Sequence, residues 1–155
     1  PGVARGLKSA GRAPRRRGRR PWVVRAWVWL RALTAGDLGR AGELAAAAHL
    51  RCHGLHVVAR NWRGRRGELD IVAVDAAGTL VFVEVKTSRS RPGSAWERVD
   101  AAKEARLRDA ADAYLAAFSL PVNTPQRFDI VVVAGDPRRL FRPLELIWAE
   151  NVFGG

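Results

Sequence analysis

The chain has 155 residues, 48% of them apolar, enough for one domain with a buried core and too many for a disordered protein. Its single cysteine, Cys52, cannot close an internal disulfide, which excludes a disulfide scaffold and a cysteine-based zinc cluster and fits a reducing, cytoplasmic setting. Net charge is +12, yet ten of the 27 basic residues and none of the 15 acids lie in residues 1–36, so residues 37–155 carry only +2.

Residues 1–35 are a basic tail, Arg-, Gly- and Pro-rich to residue 21 and Trp-rich from Trp22 to Leu33. It reads as disordered or partly helical, and suits polyanions bound through counterion release. Its apolar part is about twelve residues long and broken by Arg25 and Arg31, against the roughly twenty that a spanning helix needs, so no transmembrane segment is expected. Nor does it have the unbroken apolar core and small-residue cleavage site of a signal peptide. The sequence contains no methionine, and one of the valines further in is a candidate alternative start.

Residues 36–155 read as one α/β domain. A helix is expected from Asp37, a good N-cap, to His53, with Gly54 as its stop. A strand follows at His56–Trp62, then a basic turn over Arg63–Gly67. Two more strands, Glu68–Val74 and Thr79–Thr87, are joined at Ala76-Ala77-Gly78. A Ser/Arg/Gly-rich loop leads to a long helix, Trp96–Phe118, with Val99, Leu107, Ala110, Ala111, Tyr114 and Phe118 at core-facing spacing. Pro121–Pro125 breaks the chain. Arg127–Ala134 is a β-branched strand, Gly135–Arg139 a turn and Leu144–Ala149 a last strand, which gives the order α-β-β-β-α-β-β.

The strand at 79–87 carries an unusual pair of charges. Alternation puts Val81, Val83 and Val85 on one face and Phe82, Glu84 and Lys86 on the other. A hairpin closed at residues 76–78, with Gly78 left-handed, pairs Asp75 with Thr79 and, further along, Asp70 with Glu84. In that register Asp70 shares its face with Val72 and Val74. Two carboxylates about 5 Å apart on a covered face are unfavourable unless a cation lies between them. Mg²⁺ or Mn²⁺ fits such a place, because it takes a few carboxylates and leaves positions for water and a phosphate. Lys86 adds a positive charge suited to a reacting phosphodiester. Glu43 lies on the packing stripe of the first helix, with Ala46, Ala47 and Leu50, and is a third candidate acid.

The series Gly42-Glu43, Arg60-Asn61, Gly67-Glu68-Leu69-Asp70, Phe82-Val83-Glu84-Val85-Lys86, Lys103 and Arg127-Phe128-Asp129 resembles the YraN-like family of small bacterial proteins, within the PD-(D/E)XK nuclease superfamily. The resemblance covers about residues 36–153. It implies a restriction-endonuclease-like fold, a mixed central β-sheet flanked by helices, similar to archaeal Holliday junction resolvases. It further implies Asp70, Glu84 and Glu43 as metal-binding acids and Lys86 as the catalytic lysine. Related nucleases carry a Gln-x-x-x-Tyr motif on the following helix; here Tyr114 is present, but Ala110 stands at the glutamine position.

Arg63, Arg65, Arg66, Arg89 and Arg91, in loops flanking the hairpin, are candidate phosphate contacts, and Lys103 and Arg106 on the long helix are weaker ones. His49 and His53 have the spacing of two zinc ligands but lack the accompanying glutamate. Trp62, Trp96 and Trp148 read as packing rather than base-stacking residues, and Asp129 as either a structural or a supporting acid. The expected function is a Mg²⁺- or Mn²⁺-dependent endonuclease acting on DNA more than RNA, on branched or damaged substrates. The alternative is a nucleic-acid-binding module with a nuclease fold and little turnover, and a third is a basic partner of ribosomes or membranes working through the tail. A homodimer is among the expected partners.

Overall fold

The computed structural model describes residues 37–89, 101–139 and 144–153. The tail, Arg91, Trp96 and Val99 lie outside the described residues.

Helix α1, Leu38–Cys52, starts where the Asp37 carboxylate accepts the Arg40 N–H at 2.7 Å, the bond an N-cap aspartate makes. It stops at Gly54, φ +93°, where the Leu55 N–H donates to the Leu50 carbonyl and the Gly54 N–H to that of Arg51. These are the paired bonds of a Schellman stop, and they turn Leu55 back into the core.

Strands β1 (His56–Gly64), β2 (Gly67–Val74), β3 (Leu80–Ser88), β4 (Gln126–Ala134) and β5 (Glu145–Ala149) form one sheet in that order. β3 and β4 are parallel, joined through helix α2 (Ala101–Ala117), and the other neighbours are antiparallel. The element order matches the sequence expectation. The near-continuous apolar runs of β3 and β4 are what a strand covered on both faces needs. Ala46 and Leu50 of α1 pack on Ile71, Val83, Val131 and Val133, and Leu107, Ala111 and Tyr114 of α2 pack on Val72, Phe82 and Phe128 of the other side. Among the described residues no helix is long and apolar enough to cross a membrane.

Phe118 departs from the expected core stripe. It lies just past the end of α2, where Ser119 at φ +53° turns the chain, and is 54% exposed, with its ring against Tyr114.

Gly42 sets how deeply α1 sits. A Cβ there would overlap the Thr87 side chain of β3, approaching its Cβ and Cγ2 to 2.9 Å. Gly42→Ala is therefore expected to lift the helix off β3 and cost about 1–3 kcal/mol, as overpacking does. Urea unfolding would read this loss as a lower midpoint. Thr87→Ala in the same chain should restore part of it.

Candidate active site

The site forms where β2 and β3 part. The loop at 76–78 closes as expected, with Gly78 at φ +85° and the Asp75 N–H donating to the Thr79 carbonyl. The register runs from Val74–Leu80 to Ile71–Val83 and ends there, so the expected Asp70–Glu84 ladder pair is not made. The cause lies in β1. Asn61, at φ +52°, stands opposite Asp70, between the pairs Arg60–Ile71 and Trp62–Leu69. Asparagine tolerates this left-handed conformation. One result is that alternation breaks: Leu69 packs on the α2 side with Val72, while Ile71 packs on the α1 side. Asp70 sits at the break. Its carboxylate does not stand with Val72 and Val74 but reaches across the gap, where Oδ2 accepts the Val85 N–H at 2.8 Å. A side chain thus replaces the strand bond that β2 no longer supplies.

Glu84 lies beside this break on β3. Its side chain is 10% exposed, and its Oε1 accepts both Lys86 Nζ at 2.9 Å and Lys103 Nζ at 2.8 Å. A buried carboxylate is tolerable when paired in this way. Asp70 is less well compensated. Burial, then the negative charges of Glu84 and Glu43, push its carboxyl up to about 6, against the opposing pull of the Val85 N–H and Lys103. Glu43 is held from β1, where Asn61 Nδ2 donates to its Oε2 at 2.7 Å. The structure therefore brings Glu43, Asp70, Glu84 and Lys86 into one neighbourhood from α1, β2 and β3. Among the described residues, no group of three or more His, Cys, Asp or Glu is gathered closely enough to hold a metal ion.

Two residues of this neighbourhood were not assigned to it from the sequence. Lys103 was expected only at a nucleic-acid surface, yet it donates to Glu84. Its place in the resemblance was the available signal. Asn61 holds Glu43 and supplies the kink, and an asparagine inside a strand was a weak hint of irregularity.

The other candidates fall outside the cluster. Arg63 pairs with Glu68 at 3.2 Å, while Arg65, Arg66 and Arg89 are exposed. His49 and His53 stack with centroids 4.1 Å apart, and Trp148 meets both rings edge-on, so the pair packs as an aromatic cluster between α1 and β5. Trp62 packs edge-on against Tyr114. Asp129 is buried and accepts from Arg127, Trp148 and the Asn151 N–H, a structural acid.

Residues 42–133 match the model of the uncharacterised protein family UPF0102. A UPF0102 protein of Roseiflexus castenholzii is 53% identical over 98 residues, covering 63% of this chain and 78% of that protein. One from Ectopseudomonas mendocina is 44% identical over 118 residues, covering 76% and 94%. A third, from Symbiobacterium thermophilum, is 48% identical over 101 residues, covering 64% and 84%.

Proposed function

We propose, for a chain that belongs to the uncharacterised protein family UPF0102, a divalent-metal-dependent endonuclease activity on DNA, of the PD-(D/E)XK type and with a restriction-endonuclease-like fold. One observation carries the reading. Where β2 leaves β3, Asp70 and Glu84 come together, Glu84 buried and Asp70 half-buried, with Lys86 on Glu84. A plain hairpin has no use for a ladder broken around two acids.

The donor set suits Mg²⁺ or Mn²⁺: carboxylate oxygens are hard ligands, and Glu84 and Glu43 add negative charge beside Asp70. Asp70 and Glu84 would hold the ion, with Glu43 next to them. When bound, it supplies positive charge against the phosphodiester oxygens and lowers the pKa of water. The remaining work belongs to the chain. The Val85 N–H fixes the Asp70 carboxylate, Asn61 holds Glu43, and Lys86 and Lys103 keep ammonium groups at Glu84, where charge develops on a phosphate. Branched or damaged DNA is the substrate class this reading favours.

A second reading, a binding module without turnover, has its own support. Two ammonium groups already balance Glu84 without any metal.

The full-length chain should be incubated with supercoiled, single-stranded and four-way-junction DNA in Mn²⁺, beside Glu84→Gln and Lys86→Ala. The wild type is expected to cut, and each variant to cut at least about 100-fold more slowly. Equal cutting by all three forms would remove the active-site assignment. Binding without cutting by all three would leave the module.

A further inference from the structure

Strand order and direction bring five segments to the rim of the sheet beside Glu84. These are the β1–β2 hairpin, the ends of β3 and β4, and the starts of α1 and α2, the last two fixed there by Gly42 on Thr87 and Lys103 on Glu84. The small net charge of the domain conceals how charge is arranged on this rim.

Two ion pairs stiffen the loops that frame it. Arg63 holds Glu68 across the β1–β2 hairpin, and Arg138 clamps Asp136 through two bonds of 2.9 Å in the turn after β4. Next to each pair stand arginines of another kind. Arg65 and Arg66 at the hairpin turn and Arg139 after β4 are exposed, and none of them enters an ion pair among the described residues. Arg40 and Arg89 are exposed on the same rim. The acids there are mostly engaged. Glu68 and Asp136 are paired, Asp37 caps α1, Arg108 holds Glu104, and Glu43, Asp70 and Glu84 form the site. Glu145, at the start of β5, is exposed at the outer margin. At the opposite rim Arg127 is shared by Asp75 and Glu150.

We propose that this rim is a track for the phosphodiester backbone of a nucleic acid, gripped by Arg65 and Arg66 on one side of the site and by Arg139 on the other. β3 lies in the middle of the sheet, so the two groups flank Glu84. From β2 to β4 is two strand spacings, about 10 Å. A backbone laid across the rim with one phosphate over the acids therefore brings its neighbouring phosphates toward the long arginine side chains on either side. Guanidinium groups suit phosphate oxygens through their forked donors. The inference rests on the nuclease reading for which phosphate sits at the acids, while the grip itself is read without cleavage.

The test is fluorescence anisotropy of the full-length chain with a short labelled DNA duplex, in EDTA and over a range of KCl concentrations. Each lost phosphate contact lowers the slope of log affinity against log salt by about one. Arg65→Ala/Arg66→Ala is expected to lower it by about two, and Arg139→Ala by about one. Arg51→Ala, on the last turn of α1 at the opposite rim, should leave it unchanged. If the first two variants keep the wild-type slope, the tail alone binds DNA and the track is wrong, even if the protein cuts. An equal loss toward polyglutamate would make the rim a general anion surface and also overturn the proposal. Lower slopes in a protein that never cuts would uphold the track and remove the nuclease reading.

Discussion

Asp70→Asn is expected to stabilise the protein at neutral pH and to abolish any cleavage. The wild-type carboxyl is raised to about 6 by burial and by Glu84 and Glu43, against an ordinary value of 3.8. Below about pH 4 the group is protonated whether the chain is folded or not, and the raised value costs nothing. Between pH 4 and 6 the unfolded chain ionises while the folded one resists, so wild-type stability falls as pH rises. Above about 6 the deficit is complete and constant. A shift of this size corresponds to at most about 3 kcal/mol, and partial solvent contact brings the expected figure to about 1–2 kcal/mol. Asparagine is isosteric, its oxygen can still accept the Val85 N–H, and its amide can donate to neighbouring carboxylates. Thermal unfolding in EDTA should give Asp70→Asn a melting temperature several degrees higher at pH 7.5 and equal to wild type near pH 4. Mn²⁺ at pH 7.5 should then raise the wild type and leave the variant where it was. A variant no more stable than wild type at pH 7.5 would mean that Asp70 carries no electrostatic cost.

That cost explains which parts of the site could be read from the chain. The Ala76–Gly78 loop, the alternation of β3 and the spacing from Asp70 to Glu84 are local features, and the Ile71–Val83 register follows from them. The end of the register is not local. It depends on Asn61, a residue of a different hairpin that takes a left-handed conformation opposite Asp70. Period-two reasoning carried past that point put Asp70 on the face of Val72 and Val74, and so missed its reach to the Val85 N–H. Lys103 was hidden for another reason. It lies beyond a loop whose path cannot be measured by spacing, so only packing of α2 on β2 and β3 brings its ammonium to Glu84. Phe118 shows the same limit at a helix end, because helical periodicity does not say where the helix stops.

Asp129 was ambiguous in the sequence because each of its partners is distant or turned by packing, and the structure makes its effect one of the largest to expect. The side chain is 0% exposed and faces Arg127 Nε at 3.1 Å, Trp148 Nε1 at 3.0 Å and the Asn151 N–H at 2.9 Å. It therefore joins β4 to β5 and to the turn after it, where Asn151 sits at φ +52°. Arg127 also reaches Asp75 at 2.6 Å and Glu150 at 3.2 Å, so the network extends to the turn between β2 and β3. Asp129→Ala would leave three donors, Arg127 Nε, Trp148 Nε1 and the Asn151 N–H, without their acceptor and remove the most buried of the three acids around Arg127. Losing one member of a buried charged pair costs about 3–5 kcal/mol, a large part of the roughly 5–15 kcal/mol that holds a domain folded. Asp129→Asn keeps one acceptor oxygen but sets an amide NH2 against a donor that the second oxygen had served, so its loss is expected to be real but smaller than that of alanine. Urea midpoints should rank wild type above Asp129→Asn and that variant well above Asp129→Ala. Because Asp129 acts by holding the sheet together, Asp129→Asn should keep wild-type DNA cleavage at temperatures where it remains folded. Loss of cleavage in a folded Asp129→Asn protein would instead move Asp129 into the chemistry of the site.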